Sequence, residues 1–218
     1  MRSEDYLKDA DIDYKLNAGV FSVNTEVKKV ITVGGKHIYY DKLLIATGSN
    51  VFVPKVKGLE RTRRGKVTPT NVFFLRTNKD QAAIKEAAAT AKKVVIIGAS
   101  FVGSECAASL KSQFKENIEI DVINSRNSPF ENTLGEKVGE YLAAQHEKNG
   151  VRIHNNVRLQ EVHSNSDGAI ESVTLSDGRK IDADLVILGT GVTPATKCLE
   201  GSGIELNKDG GVLCDPFL

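Results

Sequence analysis

Lys92–Glu105 reads KKVVIIGASFVGSE, and this stretch decides the fold. The apolar run Val94–Ile97 ends at a glycine, is free of polar interruption, and has the length of a strand buried on both faces. Gly98, Ser100 and Gly103 then follow at the spacing of a G-x-S-x-x-G turn, which carries a strand directly into a helix. Such a turn points backbone N–H groups and the positive end of a helix at one place, and a pyrophosphate needs that arrangement. Gly98 makes the tight turn, and Ser100 stands where a second glycine is usual. Gly103 lets the helix pack close to the strand. Serine is small and its hydroxyl can donate to a phosphate, so the substitution keeps the chemistry.

The flanks fit the same unit. Upstream, the alanine-rich NKDQAAIKEAAATA (78–91) predicts a helix that delivers the chain into the strand. Downstream, the helix is expected from Ser100 to about Gln113, and IEIDVIN (118–124) is expected as the next parallel strand. A longer helix from about Leu134 to Asn149 ends at Gly150, a residue suited to a left-handed C-terminal cap. The strand VRIHNN (151–156) follows. A meander over 157–181, with turns at Asp167-Gly168 and Asp177-Gly178, then feeds the apolar strand ADLVILGTG (183–191).

A second meander precedes the first helix. It comprises DYKLNAGVFSVNT (13–25), KKVITV (28–33), a Gly34-Gly35 turn and KHIYY (36–40), and it feeds the apolar run KLLIATG (42–48), read as a buried strand. Residues 49–70 read as an irregular crossover linker with Pro54, Gly58, Gly65 and Pro69. Its basic cluster Arg61, Arg63, Arg64 and Lys66 is read as a solvated surface. Residues 31–48, ITVGGKHIYYDKLLIATG, align with 173–191, VTLSDGRKIDADLVILGTG. Two copies of one pattern imply two dinucleotide-binding domains of similar build. Only the second copy is preceded by a glycine-rich βαβ unit, so the chain is expected to start inside the first domain.

Composition narrows the function. With 40% hydrophobic and 26% charged residues and a net charge of +1, the chain has no overall field that would draw nucleic acid or an anionic membrane. No apolar run approaches the roughly 20 residues of a membrane helix, and the acidic, polar N-terminus does not read as a presequence. An intracellular setting is expected, cytoplasmic or mitochondrial. Cys106, Cys198 and Cys214 form no CxxC and read as reduced thiols, with Cys106 placed for packing. The four histidines lack ligand spacing, and no metal site is expected. No side chain is assigned as catalytic.

Two positions bear on which dinucleotide is bound. An acidic residue at the end of the second strand would hold the adenosine ribose hydroxyls and repel a 2′-phosphate. In VINSRNS (122–128) that position is Asn124, which is neutral, and Arg126 is close by. NADPH, or use of both dinucleotides, is therefore favoured over strict NAD use. Glu105 has two readings: a carboxylate near the ligand's reactive end, or a first-turn complement to the helix dipole.

The motifs YYDKLLIATGS (39–49), NVFFLRTNKDQAA (71–83), VVIIGASFVGSECAA (94–108), SPFENTLGEKVGE (128–140) and LVILGTGVTPAT (185–196) span nearly the whole chain. In this order they resemble the FAD-dependent pyridine nucleotide-disulfide oxidoreductase superfamily, in its apoptosis-inducing factor and ferredoxin reductase branch. The resemblance implies an α/β fold. A Rossmann-like NAD(P)-binding domain with a three-stranded β-meander would span 70–192, inserted between parts of a similar FAD-binding domain at 1–69 and 193–218. It places Thr47 and Gly48 near FAD. Gly98, Ser100, Phe101, Val102, Gly103 and Glu105 would lie at the NAD(P) site, and Gly191 at the nicotinamide. Phe101 matches an aromatic that can cover the flavin, its alternative being helix packing. The resemblance further implies hydride transfer from NAD(P)H to FAD and electron delivery to a separate acceptor, a ferredoxin- or Rieske-type protein or a quinone. The family's N-terminal G-x-G-x-x-G and its later Gly-Asp flavin motif have no match here. A shortened chain is expected, its alternative functions being a non-catalytic nucleotide-binding module or a structural subunit.

Overall fold

The computed structural model describes residues 3–61 and 67–216. Two compact units divide the chain, one made of residues 1–50 and 192–218 and the other of 51–191. In chain order the first stretch holds helix α1 (Glu4–Asp9) and strands β1 (Val20–Asn24), β2 (Lys29–Thr32), β3 (His37–Tyr39) and β4 (Ser49–Val51). The central stretch opens with three short strands, β5 (Glu60–Arg61), β6 (Val67–Thr68) and β7 (Val72–Phe74), and helix α2 (Asn78–Ala88). It continues with β8 (Lys93–Ile97), α3 (Phe101–Phe114), β9 (Glu119–Ile123), α4 (Glu131–Leu134), α5 (Glu136–Lys148) and β10 (Val151–His154). It ends with β11 (Leu159–Ser164), β12 (Ile170–Leu175), β13 (Lys180–Asp182) and β14 (Leu185–Leu188), after which the chain returns on β15 (Val192–Pro194). No helix among the described residues is long and apolar enough to cross a membrane.

The central unit is built on a five-stranded sheet of order β10-β9-β8-β14-β7, parallel at every pairing. Alternation along β8 explains its uninterrupted apolar sequence. Val94 and Ile96 face a core shared with Ile84 and Ala88 of α2 and Cys106, Ala107 and Leu110 of α3. Val95 and Ile97 face the opposite core, shared with Val162, Val173 and Leu175 of the β11-β12-β13 meander. Both faces of the strand are therefore covered, and Val94, Val95 and Ile96 are wholly buried. Each such side chain contributes about 1.5–3 kcal/mol relative to exposure.

Local chemistry sets the ends of these elements. Helix α2 starts from a capping box: Thr77 Oγ1 accepts from the Asp80 N–H at 3.3 Å, and Asp80 Oδ2 accepts from the Thr77 N–H at 2.7 Å. Thr77→Ala is expected to cost about 1 kcal/mol, read as a lowered midpoint in urea denaturation followed by circular dichroism. Asp184 ties β14 to the start of β8, its Oδ2 accepting the N–H groups of Lys92 and Lys93, each at 2.8 Å. Gly150, Gly168 and Gly178 have positive φ (77°, 75° and 85°) at the expected cap and the two meander turns.

Four expectations need correction. The run KLLIATG (42–48) forms no strand: Lys42 lies in a bend, 43–48 have no regular structure, Gly48 is left-handed at φ 68°, and Leu44 is 81% exposed. A buried strand needs a hydrogen-bonding neighbour along its length, and here only the last residue has one, the Gly48 carbonyl accepting the Ala195 N–H at 3.0 Å. The long helix starts later than expected, because Gly135 at φ 82° separates the single turn α4 from α5. The linker is also more ordered than expected. It carries β4, β5 and β6, and it runs beside the meander, where Gly58 (φ 78°) passes so close that a Cβ would lie 1.9 Å from the Val162 carbonyl oxygen. Of the linker's basic cluster only Arg61, which is exposed, lies within the described residues. Finally, α2 stops at Ala88, three residues short of the expected end.

The other unit is smaller. Its antiparallel β1-β2-β3 meander buries Val23 and Val30 with Leu199 of a short 3-10 turn (Lys197–Leu199), and Ile38, Ile45 and Leu206 pack around them.

Candidate dinucleotide site

The C-terminal ends of β8, β9 and β14 border a cleft of about 520 Å3 in the central unit. Sheets of this kind bind ligands at the carboxyl ends of their strands. Gly98 closes β8 at φ 104°, and its N–H donates to the Ile123 carbonyl at 2.8 Å. A Cβ on Gly98 would lie 2.3 Å from the Gly189 carbonyl oxygen, and one on Gly103 would lie 1.8 Å from the Gly98 carbonyl oxygen. Three backbones (the β8 turn, the first turn of α3 and the end of β14) thus meet where only glycine fits. Ser100 is the N-cap of α3, yet its hydroxyl makes no capping bond. The N–H groups of Phe101, Val102 and Gly103 meet no acceptor among the described residues. They follow Ser100, which lines the cleft, and the partial positive charge of a helix N-terminus suits an anion there.

The opposite wall is the loop after β9. Asn124 is buried, and its Nδ2 donates to the Arg126 carbonyl at 3.2 Å and to Asn155 Oδ1 at 2.8 Å. Both amide donors are thus spent on the loop, and Oδ1 is left as an acceptor. Arg126 is exposed at the cleft and its guanidinium has no partner among the described residues.

A third wall comes from 128–133. Phe130 has φ 57°, unusual for an aromatic residue. Its N–H donates to the Ala99 carbonyl at 3.2 Å, and its ring stands edge-on to Phe101 with centroids 5.1 Å apart. Glu131 Oε2 accepts the N–H groups of Asn127 and Ser128 at 2.8 and 3.4 Å. Phe52, Pro54, Thr190 and Gly191 complete the rim, with Thr190 Oγ1 donating to the Phe52 carbonyl at 2.5 Å.

Of the residues singled out in the sequence, Gly98, Ser100, Asn124, Arg126 and Gly191 line this one cleft. Gly103 lies buried beneath the turn. Phe101, Val102 and Glu105 are exposed on α3 and are not part of the lining. Thr47 and Gly48 belong to the other unit, in the irregular segment before β4. The sequence reading did not single out Gly189, Phe130, Glu131 or Arg158. The SPFENTL and LGTG motifs drew notice to the first three, but nothing local marks Arg158.

The family model described as "Pyridine nucleotide-disulphide oxidoreductase" matches residues 4–218. The chain belongs to this family. Among curated members it is 31% identical over 210 residues to "Apoptosis-inducing factor 3" of Homo sapiens, a match covering 96% of this chain and 33% of that protein. It is 25% identical over 218 residues to "Rhodocoxin reductase" of Rhodococcus erythropolis, covering all of this chain and 48% of the other. The solved ferredoxin reductase for the CYP199A2 system from Rhodopseudomonas palustris superimposes with a TM-score of 0.84 at 26% identity, over 95% of this chain and 48% of that one. The chain thus spans a third to a half of the length of these family members.

The family description includes disulphide chemistry, but the three thiols here are free and differ in exposure. Cys106 is buried in the helix-side core, and burial, with a smaller contribution from the Glu105 charge, pushes its thiol up from the ordinary value. Labelling with an aromatic disulfide reagent is expected to modify exposed Cys214 within minutes and to reach Cys106 only on unfolding. Mass spectrometry of the labelled peptides distinguishes the two.

Proposed function

We propose that the cleft at Gly98–Gly103 binds a pyridine nucleotide and that the protein acts as an NAD(P)H-dependent flavin oxidoreductase. Electrons would pass from nicotinamide through FAD to a separate acceptor, a ferredoxin- or Rieske-type iron–sulfur protein, with a quinone as the other acceptor class. In this reading residues 70–192 form the nucleotide-binding domain, and 1–69 and 193–218 belong to the flavin side. The observation that carries it is the three-glycine crossing beneath uncapped N–H groups at the carboxyl edge of a parallel sheet. The names of the relatives, which include a rhodocoxin reductase and a ferredoxin reductase, support the acceptor class.

Each residue has a definite task. The first-turn N–H groups and the Ser100 hydroxyl hold the pyrophosphate, and Asn124 Oδ1 accepts from an adenosine ribose hydroxyl. Gly191, at φ 94° and with open space around its α-carbon, leaves room for the nicotinamide. Glu105 and Phe101 stand on the exposed face of α3, where they would meet the reactive end of the dinucleotide or the flavin. Bound flavin supplies the conversion of a two-electron hydride donor into single-electron deliveries. Thr47 and Gly48 are the residues proposed at the flavin. The described residues of their unit hold no strand, glycine turn and helix that would grip its pyrophosphate, so these two positions do not by themselves make a flavin site.

Calorimetric titration of the 218-residue chain with NADH and with NADPH tests the binding reading, and absence of heat with both removes it. For the redox reading, a longer, FAD-loaded protein containing this chain is expected to lose its visible flavin absorbance on addition of NAD(P)H under nitrogen. If dinucleotide binds but the flavin is never reduced, the chain is a nucleotide-binding module without turnover.

A further inference from the structure

We propose that Arg126 and Arg158 form a pair that reads the 2′-phosphate of NADPH, so that the cleft selects the phosphorylated dinucleotide over NADH. The proposal rests on the nucleotide-binding reading above and adds to it the residue, Arg158, that makes discrimination two-sided.

The two arginines are 32 positions apart, and the β9-β10 pairing brings them to one wall. Beyond the last ladder pair, the Asn124 N–H donates to the His154 carbonyl at 2.8 Å and the Val157 N–H to the Asn124 carbonyl at 3.0 Å. Asn156, left-handed at φ 58°, donates its N–H to the Arg126 carbonyl at 3.0 Å. The side chains of Asn124 and Asn155 add a bond at 2.8 Å across the same seam. Arg158 is then fixed from its far side, its N–H donating to Ser176 Oγ at 3.0 Å and its carbonyl accepting from the Ser176 N–H at 2.8 Å. Both backbones are held, and both residues line the cleft.

Neither guanidinium has a hydrogen bond or ion pair among the described residues. By contrast, Arg152 and Arg179 in the same unit are committed to carboxylates. The lining contains a single carboxylate, Glu131, which is already taken up by two backbone N–H groups. Two uncommitted cations therefore face one engaged anion. At the strand end, where a carboxylate would repel a phosphate, Asn124 is neutral. A phosphomonoester carries close to two negative charges at neutral pH and offers three acceptor oxygens, which two planar forks can grip together. An unphosphorylated ribose offers neither arginine a charge.

Calorimetry of the full 218-residue chain with four probes tests the proposal: NADPH, NADH, 2′,5′-ADP and 5′-AMP, at about 50 mM salt to limit screening. NADPH is expected to bind at least about tenfold tighter than NADH, and 2′,5′-ADP tighter than 5′-AMP by a similar factor. In Arg158→Gln and in Arg126→Gln the NADPH-to-NADH affinity ratio should fall by about fivefold or more, and the double variant should bring it near one. Both side chains are exposed and unpaired, so circular dichroism should show both variants folded. A wild-type ratio of one or below overturns the proposal while leaving the nucleotide site in place. An unchanged ratio in Arg158→Gln, or an equal loss for both dinucleotides, also overturns it. Absence of binding to all four probes removes the nucleotide reading itself, and the proposal with it.

Discussion

Gly103→Ala is expected to destroy dinucleotide binding and to lower the unfolding free energy by about 2–3 kcal/mol. By helix propensity alone this change should stabilise, since alanine is favoured over glycine inside a helix by about 1 kcal/mol. The sign is decided by what the added methyl meets. It would sit 1.8 Å from the Gly98 carbonyl oxygen and 3.0 Å from its carbonyl carbon, and these are backbone atoms that cannot swing aside. Relief requires α3 to move away from β8, which takes the N–H groups of its first turn away from the cleft. Urea unfolding and NADPH calorimetry on the same sample read both effects. A variant that binds normally would show that the contact between helix and turn does not build the site.

The second large effect belongs to Asp121, outside the cleft. Its carboxylate is buried on β9, where it accepts from Arg152 Nε at 2.9 Å and Nη2 at 2.7 Å, and from His154 Nε2 at 2.7 Å. Arg152 also reaches Glu119 at 2.9 Å, and Arg179 Nη1 lies 3.0 Å from His154 Nδ1. A neutral His154 protonated on Nε2 satisfies both neighbours, donating to Asp121 and accepting from Arg179. Asp121→Ala leaves His154 without its acceptor and Arg152 with Glu119 alone, and is expected to cost about 3 kcal/mol in urea unfolding. The low end of the range applies because the Arg152 side chain is 55% exposed.

The same group carries a pH dependence. Burial pushes the Asp121 carboxyl up, but hydrogen bonds from Arg152 and His154 outweigh it and hold the group below its ordinary 3.8. A folded value below the unfolded one means the stabilisation is fully present above the unfolded value and is lost as the pH falls through the folded one. Wild-type stability should therefore drop on acidification below about pH 4, and Asp121→Asn should show a shallower fall over that interval. Equal slopes in the two proteins would show that this carboxylate does not carry the acid sensitivity.

How much of this was legible in the sequence depends on how local the determining interaction is. The turn at Gly98–Gly103 was legible because strand, glycines and helix are contiguous. Gly150, Gly168 and Gly178 were legible because a positive φ is a property of one residue. KLLIATG (42–48) and ADLVILGTG (183–191) read alike, yet only the second contains a strand, β14, because β7 and β8 flank it. Apolar composition marks a segment fit to be a strand, and its neighbours decide whether it becomes one. In the candidate site, Asn124 and Arg126 were visible from their position at a strand end. Arg158 was not, since only the parallel pairing of β10 with β9 carries the loop after His154 to the cleft. Gly189 was hidden for a similar reason: its close neighbour is Gly103, far away in sequence, whose backbone N would lie 3.1 Å from a Cβ there.

The Phe52 N–H donates to the Gly191 carbonyl at 3.0 Å, so the central unit begins and ends at the same spot. Closing a flexible loop as long as Val51–Gly191 would cost about 4 kcal/mol of chain entropy. A folded central unit removes nearly all of that cost, because it presents its two ends side by side, as the two legs of a tight hairpin. For the host strands β4 and β15, which pair with each other, the intervening residues then count as little more than a turn. The two pieces of the discontinuous unit, remote in sequence, are thereby brought together at little entropic cost once the central unit is folded.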